Sequence, residues 1–111
     1  MREDLGQANR YRAGRLEIRP EEHAALVDGR PLHLTVRELQ LLTELAFNAE
    51  RIMSRDELYE AIWRRPLRRS DRSLDVYVSR LRQKLERAMP ELVLIHTHFG
   101  IGYRFSAEPG C

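Results

Sequence analysis

At 111 residues, 42% apolar and 32% charged, the chain is sized for one domain with a real core and is too short for two. No apolar run approaches the roughly 18 residues of a membrane span, and the opening MREDLGQANR lacks the apolar stretch of a signal peptide, so a cytoplasmic protein with no membrane contact is expected. Cys111, the single cysteine, excludes an internal disulfide and a Cys-based metal site. The net charge of +2 divides unevenly: residues 1–63 carry −3, residues 64–87 carry +6 and residues 88–111 carry −1. Such a concentration suits a polyanionic partner, although a charge run alone also describes a solvated face.

In chain order, residues 1–14 are polar and aperiodic and are expected to be a linker or disordered lead-in. Leu16 and Ile18 alternate with charged neighbours before Pro20, as in a short strand. ALVDGRPLHL then reads as two strands around Asp28-Gly29, a pair favoured in two-residue hairpin turns. TVRE at Thr35 and SRDE at Ser54 are capping boxes, in which the hydroxyl accepts from the third amide on and the glutamate reaches back. Leu39, Leu42, Leu45 and Ala46 follow the first at helical spacing, and Leu58, Ile62 and Trp63 follow the second. Pro66 interrupts RRPLRRS, which is expected to be a basic loop. A third helix over residues 71–87 ends before Pro90. VLIHTHF and GIGYRF form a closing hairpin with Gly100 and Gly102 at its turn.

The third helix, DRSLDVYVSRLRQKLER, carries the functional signal. At about 100° per residue, Leu74, Val78, Leu81 and Leu85 share one narrow sector, the core face. Opposite lie Arg72, Val76, Ser79, Arg80, Gln83 and Arg87. An α-helix fits the major groove of B-DNA, where Arg reads guanine through two hydrogen bonds and a small apolar group meets a thymine methyl. Val76 is informative because a merely solvated face has no physical need for it. The competing reading is an ordinary arginine-rich exposed helix.

The order helix, turn, reading helix, hairpin is that of a helix-turn-helix with a wing. In DGRPLHLTVRELQLL, SRDELYEAIW, DRSLDVYVSRLRQKLE and the closing GIGYRF, the chain resembles the winged-helix effector domains of OmpR/PhoB-type response regulators. The RRPLRRSDRS stretch looks most like the CpxR-like branch. The resemblance implies an α+β winged helix-turn-helix with an N-terminal antiparallel sheet, three helices and a C-terminal hairpin wing. It implies sequence-specific binding of double-stranded DNA for transcription regulation, with a domain over residues 15–106 and a tail at 107–111. By position, Val76 and Arg80 face bases, with Ser79 and Gln83 on the same stripe. Arg72, Ser73, Tyr77, Trp63, Thr97 and Tyr103 match phosphate-side positions, and Arg87 extends that set along the helix. Arg64, Arg65, Arg68 and Arg69 lie in the segment that in the family faces RNA polymerase. Also implied are a receiver domain and cognate sensor kinase outside this chain, and pairing of two domains on direct-repeat half-sites. One departure stands out: where the family commonly has Thr-Val-Arg-Gly, this chain has Thr97-His98-Phe99-Gly100, without the arginine that enters the minor groove.

Bland readings accompany several of these residues. Trp63 and Tyr103 suit a core as well as a phosphate contact, and Leu39, Leu42, Leu45, Leu58, Ile62, Leu74, Val78, Leu81, Leu85, Ile95 and Phe105 are expected to be core only. His96 and His98 share a strand face but lack a third ligand, so no metal is expected. Gly-Ile-Gly at 100–102 lacks the third glycine and the helix of a dinucleotide site, and nothing activates a nucleophile, so neither a cofactor nor an enzymatic activity is expected. The alternative function is a winged-helix module whose third helix binds an acidic protein surface.

Overall fold

Asp28 and Gly29, both at positive φ (55° and 78°), turn the chain between two strands of the first sheet, as a type I′ hairpin requires. In the computed structural model of the protein, which describes residues 10–110, that sheet is an antiparallel meander. Its strands are β1 (Tyr11–Ala13), β2 (Leu16–Arg19), β3 (Ala24–Val27) and β4 (Arg30–Pro31). Helices α1 (Val36–Phe47) and α2 (Arg55–Trp63) flank strand β5 (Ile52–Ser54), and α3 (Ser73–Ala88) precedes β6 (Leu92–His98) and β7 (Gly102–Pro109). The second sheet has the order β5-β7-β6, all antiparallel.

Both expected capping boxes form. Thr35 and Ser54 accept from the amides of Glu38 and Glu57, whose side chains return to the capping residues. The core gathers Leu16 and Ile18 from β2, Leu41, Leu42 and Leu45 from α1, Leu58 and Ile62 from α2, and Leu74, Val78, Leu81 and Leu85 from α3, closed by Ile95 and Phe105. Of the residues expected to be core, only Leu39 is partly exposed. Gly102 admits β5 to the second sheet: a Cβ there would lie 1.9 Å from the Met53 carbonyl oxygen, so any side chain would force β5 away.

Besides the second strand of ALVDGRPLHL, which stops at Pro31, three boundaries depart from expectation. The lead-in expected over residues 1–14 contains strand β1, which pairs Tyr11 with Ile18 and sets the Tyr11 ring edge-on to Phe105, with centroids 5.5 Å apart; residues 1–9 lie outside the described residues. The expected 107–111 tail is strand through Pro109, because Glu108 and Pro109 still pair with Val93 and Leu92 of β6; Cys111 lies outside the described residues. The third helix begins at Ser73 rather than at residue 71, because the Asp71 side chain accepts the Ser73 amide at 2.8 Å from outside the helix.

Candidate nucleic-acid interface

Helix α3 is fixed at its start and along its buried face. At its start, Asp71 accepts the Ser73 amide and, at 2.7 Å, the Tyr59 hydroxyl. Those bonds, the backbone one first, hold the Asp71 pKa down at about 2. One turn on, Asp75 accepts two hydrogen bonds from Arg55 (2.7 and 3.2 Å) and one from the Tyr103 hydroxyl (2.7 Å), joining the start of α2, α3 and β7 in one contact. Burial raises the Asp75 carboxyl, but the bonds from Arg55 and Tyr103 outweigh it and leave its pKa below the usual value. Burial, and then the bond to Asp75, push Tyr103 up to about 12. Further along, Lys84 reaches Glu38 of α1 at 2.6 Å. Glu38 is only 1% exposed; burial raises its carboxyl, and Lys84 with the Thr35 amide brings it below the ordinary range.

With its core face locked, α3 presents Arg72, Val76, Ser79, Arg80, Gln83 and Arg87 to solvent, the set expected to face a groove. Val76 is 44% exposed, an apolar side chain amid hydrogen-bonding ones. Arg64, at φ 61°, ends α2 and opens a loop on which Arg65, Arg68 and Arg69 are all exposed. Trp63 stacks on Tyr59 at 4.5 Å and lies 5.8 Å from Tyr77. Arg37, Arg65 and Arg80 sit over the rings of Trp63, Tyr59 and Tyr77 at 4.8, 5.4 and 5.7 Å. Trp63 and Tyr77 are thus half-buried members of an aromatic seam joining the loop to α3, which satisfies the core reading of Trp63 while leaving one edge at the surface.

The wing is less open than expected. Tyr103 is 8% exposed and its hydroxyl proton is committed to Asp75, which places it with the core rather than on the wing surface. Thr97 is half-buried, its Oγ1 accepting from Arg82 at 2.9 Å. Ser73, as the first residue of α3, is also half-buried. Arg104 does not take the place of the missing wing arginine: its Nε donates to His98 Nε2 at 3.1 Å, and its guanidinium lies 3.5 Å from both Glu50 and Glu108. The His96 Nε2 donates to the Ser106 carbonyl at 3.0 Å. At the tip, Phe99 and Ile101 are 91% and 57% exposed.

Charge pairing separates two populations of arginine. Arg10, Arg12, Arg15, Arg19, Arg51, Arg55 and Arg104 each meet a carboxylate. Among the described residues, no carboxylate lies within ion-pair distance of Arg64, Arg65, Arg68, Arg69, Arg72, Arg80 or Arg87. Among the same residues, Arg30 on β4 and Arg37 on α1 also meet no carboxylate, but most of the uncompensated charge sits on the loop and α3. Arg55, Asp71, Asp75 and Arg82, which hold this surface in place, were not singled out in the sequence. The one signal for Asp75 was an acid in a basic helix, off both the core sector and the reading stripe.

Comparison with known proteins agrees with this geometry. Residues 29–105 match the family described as transcriptional regulatory protein, C terminal. The transcriptional regulatory protein SrrA of Staphylococcus aureus is 34% identical over 94 residues, 84% of this chain and 39% of SrrA, so the chain spans well under half of that relative. The DNA-binding domain of RstA from Klebsiella pneumoniae, solved in complex with the RstA box, superposes with a TM-score of 0.78 at 34% identity, covering 87% of this chain and 96% of that one. The DNA-binding domain of CpxR from E. coli gives 0.79 at 29% identity, covering 86% and 94%.

Proposed function

Because the chain belongs to the family of transcriptional regulatory protein C-terminal domains, of OmpR/PhoB type, we propose that it reads double-stranded DNA through α3 and acts in the cytoplasm as the output domain of a two-component response regulator. The observation that carries the reading is the concentration of unpaired arginines on the loop and α3, around an exposed stripe containing Val76. Paired arginines elsewhere have little charge left to offer a polyanion, whereas these seven are available to phosphates and base edges. RstA, crystallised with its box, supports DNA as the ligand, and the family is not one of enzymes.

In this reading Val76, Ser79, Arg80 and Gln83 face bases. Arg72, Ser73, Tyr77 and Arg87 lie against phosphate, with Trp63 and Thr97 at the margins. Tyr103 serves by holding Asp75 instead of touching DNA. The loop bearing Arg64, Arg65, Arg68 and Arg69 offers a basic surface to RNA polymerase. The greater length of SrrA is consistent with a receiver domain, answering a sensor kinase, that belongs to the whole regulator. Two copies then bind as a dimer on half-sites about one helical turn apart.

Selection from a pool of random duplexes at physiological salt tests the reading. Enrichment of a common sequence whose preference at one base position relaxes in Arg80→Ala is the expected result. Retention without sequence preference, or an unchanged preference in Arg80→Ala, would contradict it.

A further inference from the structure

The wing tip is unusual in what it exposes. Phe99 is 91% and Ile101 57% exposed, on either side of Gly100. Burying a phenylalanine is favourable by about 1.5–3 kcal/mol, and leaving it almost bare at a hairpin tip forgoes that gain unless something covers it. The tip is held in fixed relation to α3. One residue pair back from the turn residues, His98 faces Gly102, and the next pair is Thr97 and Tyr103. Thr97 is bonded to Arg82, and Tyr103 to Asp75, both on α3. At about 3.3 Å per strand residue, Phe99 stands only some 7 Å beyond that pair, which is bonded to the helix whose outer face carries Val76 and Arg80. The surroundings suit a polyanion, since residues 92–107 contain no carboxylate, and the carboxylates that Tyr103 and Arg104 reach are matched by arginine: Asp75 by Arg55, and Glu50 and Glu108 by Arg104.

An uncharged aromatic side chain cannot neutralise a phosphate. What it can do against a duplex is enter the minor groove and push between stacked bases, as apolar wedges of architectural proteins do. We propose that Phe99, backed by Ile101, is such a wedge: it enters the minor groove next to the α3 site and partly unstacks one pyrimidine–purine step. TA and CA/TG steps unstack most easily, so the flank becomes a specificity determinant read through deformability where an arginine would read groove width. This rests on the DNA-reading function proposed above and adds a residue and a class of base step to it.

The test uses the duplex that the full chain retains from the random pool, with each flanking step changed in turn to TA, CA, AA or GC, and 2-aminopurine replacing the adenine in the TA, CA and AA duplexes. Wild type should favour TA or CA at one flanking position several-fold and raise 2-aminopurine fluorescence there. Phe99→Ala should bind the TA duplex about tenfold more weakly, lose the fluorescence rise, and keep both the salt dependence and the thermal midpoint of wild type, since the side chain is uncharged and 91% exposed. Phe99→Leu should retain part of the preference. Equal binding by wild type and Phe99→Ala on every flank would overturn the wedge and leave α3 reading intact. Loss of affinity by the same factor on all flanks would also overturn it, because that describes contact with the sugar backbone and not with a base step. If wild type enriched no sequence at all, the DNA-reading function itself would fall.

Discussion

Arg80 and Arg82 stand two positions apart on α3, yet they do opposite work. Arg80 is exposed with its guanidinium over the Tyr77 ring, whereas Arg82 reaches back to the Ile95 carbonyl at 3.1 Å and to Thr97 at 2.9 Å. Because β6 is an edge strand, Arg82 satisfies one of its backbone carbonyls from α3. Arg80→Ala should change folding stability by less than about 0.5 kcal/mol and weaken binding to the preferred duplex by about 1–3 kcal/mol. Arg82→Ala should lower stability by about 1–2 kcal/mol through its lost hydrogen bonds. Denaturant titration paired with fluorescence anisotropy separates the two, and equal losses on both assays for both mutants would refute the division of labour. Asp71 gives a residue-level prediction for pH. Its carboxyl, lowered to about 2 by the Ser73 amide and the Tyr59 hydroxyl, lies below the value of about 3.9 it would have in the unfolded chain. Its contribution is therefore complete above about pH 4 and is lost as pH falls through about 2. Thermal midpoints of wild type should fall more steeply over that window than those of Asp71→Asn; parallel acid limbs would show that Asp71 does not secure the start of α3.

The elements differ in how openly their residues declare them, and the reason is length. α1 and α2 announce themselves because a capping box fixes each start and several apolar residues repeat the helical period behind it. β1 and β5 have three residues each, too few for an alternating pattern, and both exist because a distant strand completes them: β1 through β2, and β5 through the close approach that Gly102 permits. Glu38 was half legible. Its capping role lies in the TVRE spacing, but its ion pair with Lys84 spans 46 positions and arises only once α1 packs on α3. The exposed stripe of α3 was legible because an isolated helix already defines it, whereas the Arg55–Asp75–Tyr103 junction needs three elements in place. Strand β1 also changes what its segment is expected to do. Removing residues 1–12 would cost nothing if they were a lead-in, yet Tyr11 sits edge-on to Phe105 and 6.2 Å from Phe47. A large core aromatic truncated to alanine costs about 3–5 kcal/mol; for half-buried Tyr11, Tyr11→Ala should cost about 2 kcal/mol and lower Tm by roughly 10 °C. Arg12→Ala, one residue along on the exposed side of the same strand, should shift it little. An unchanged midpoint for Tyr11→Ala would mean that β1 contributes no stability.

For the whole molecule, net charge is the wrong quantity and unpaired charge the right one. The total of +2 says little about attraction to a polyanion, because arginines already matched to carboxylates release few counterions from DNA when the chain binds. Arg12 and Arg72 make the comparison sharp. Both are exposed, and replacing either removes one positive charge, but Arg12 lies 3.1 Å from Glu17 on the first sheet, while Arg72 stands unpaired among the described residues at the start of α3. Each phosphate neutralised contributes about −0.9 to the slope of log affinity against log salt. Arg72→Ala should therefore flatten that slope by roughly one unit and weaken binding to all sequences about equally. Arg12→Ala should leave the slope where it was despite the identical change in net charge, because its charge is already matched by Glu17 on the first sheet. A salt series on one specific and one unrelated duplex measures both. If the two mutants flattened the slope alike, attraction would be a property of total charge and the concentration of free arginines on the loop and α3 would not direct binding. If only Arg72→Ala did so, the same face that α3 holds out by geometry would be the face that meets the phosphates.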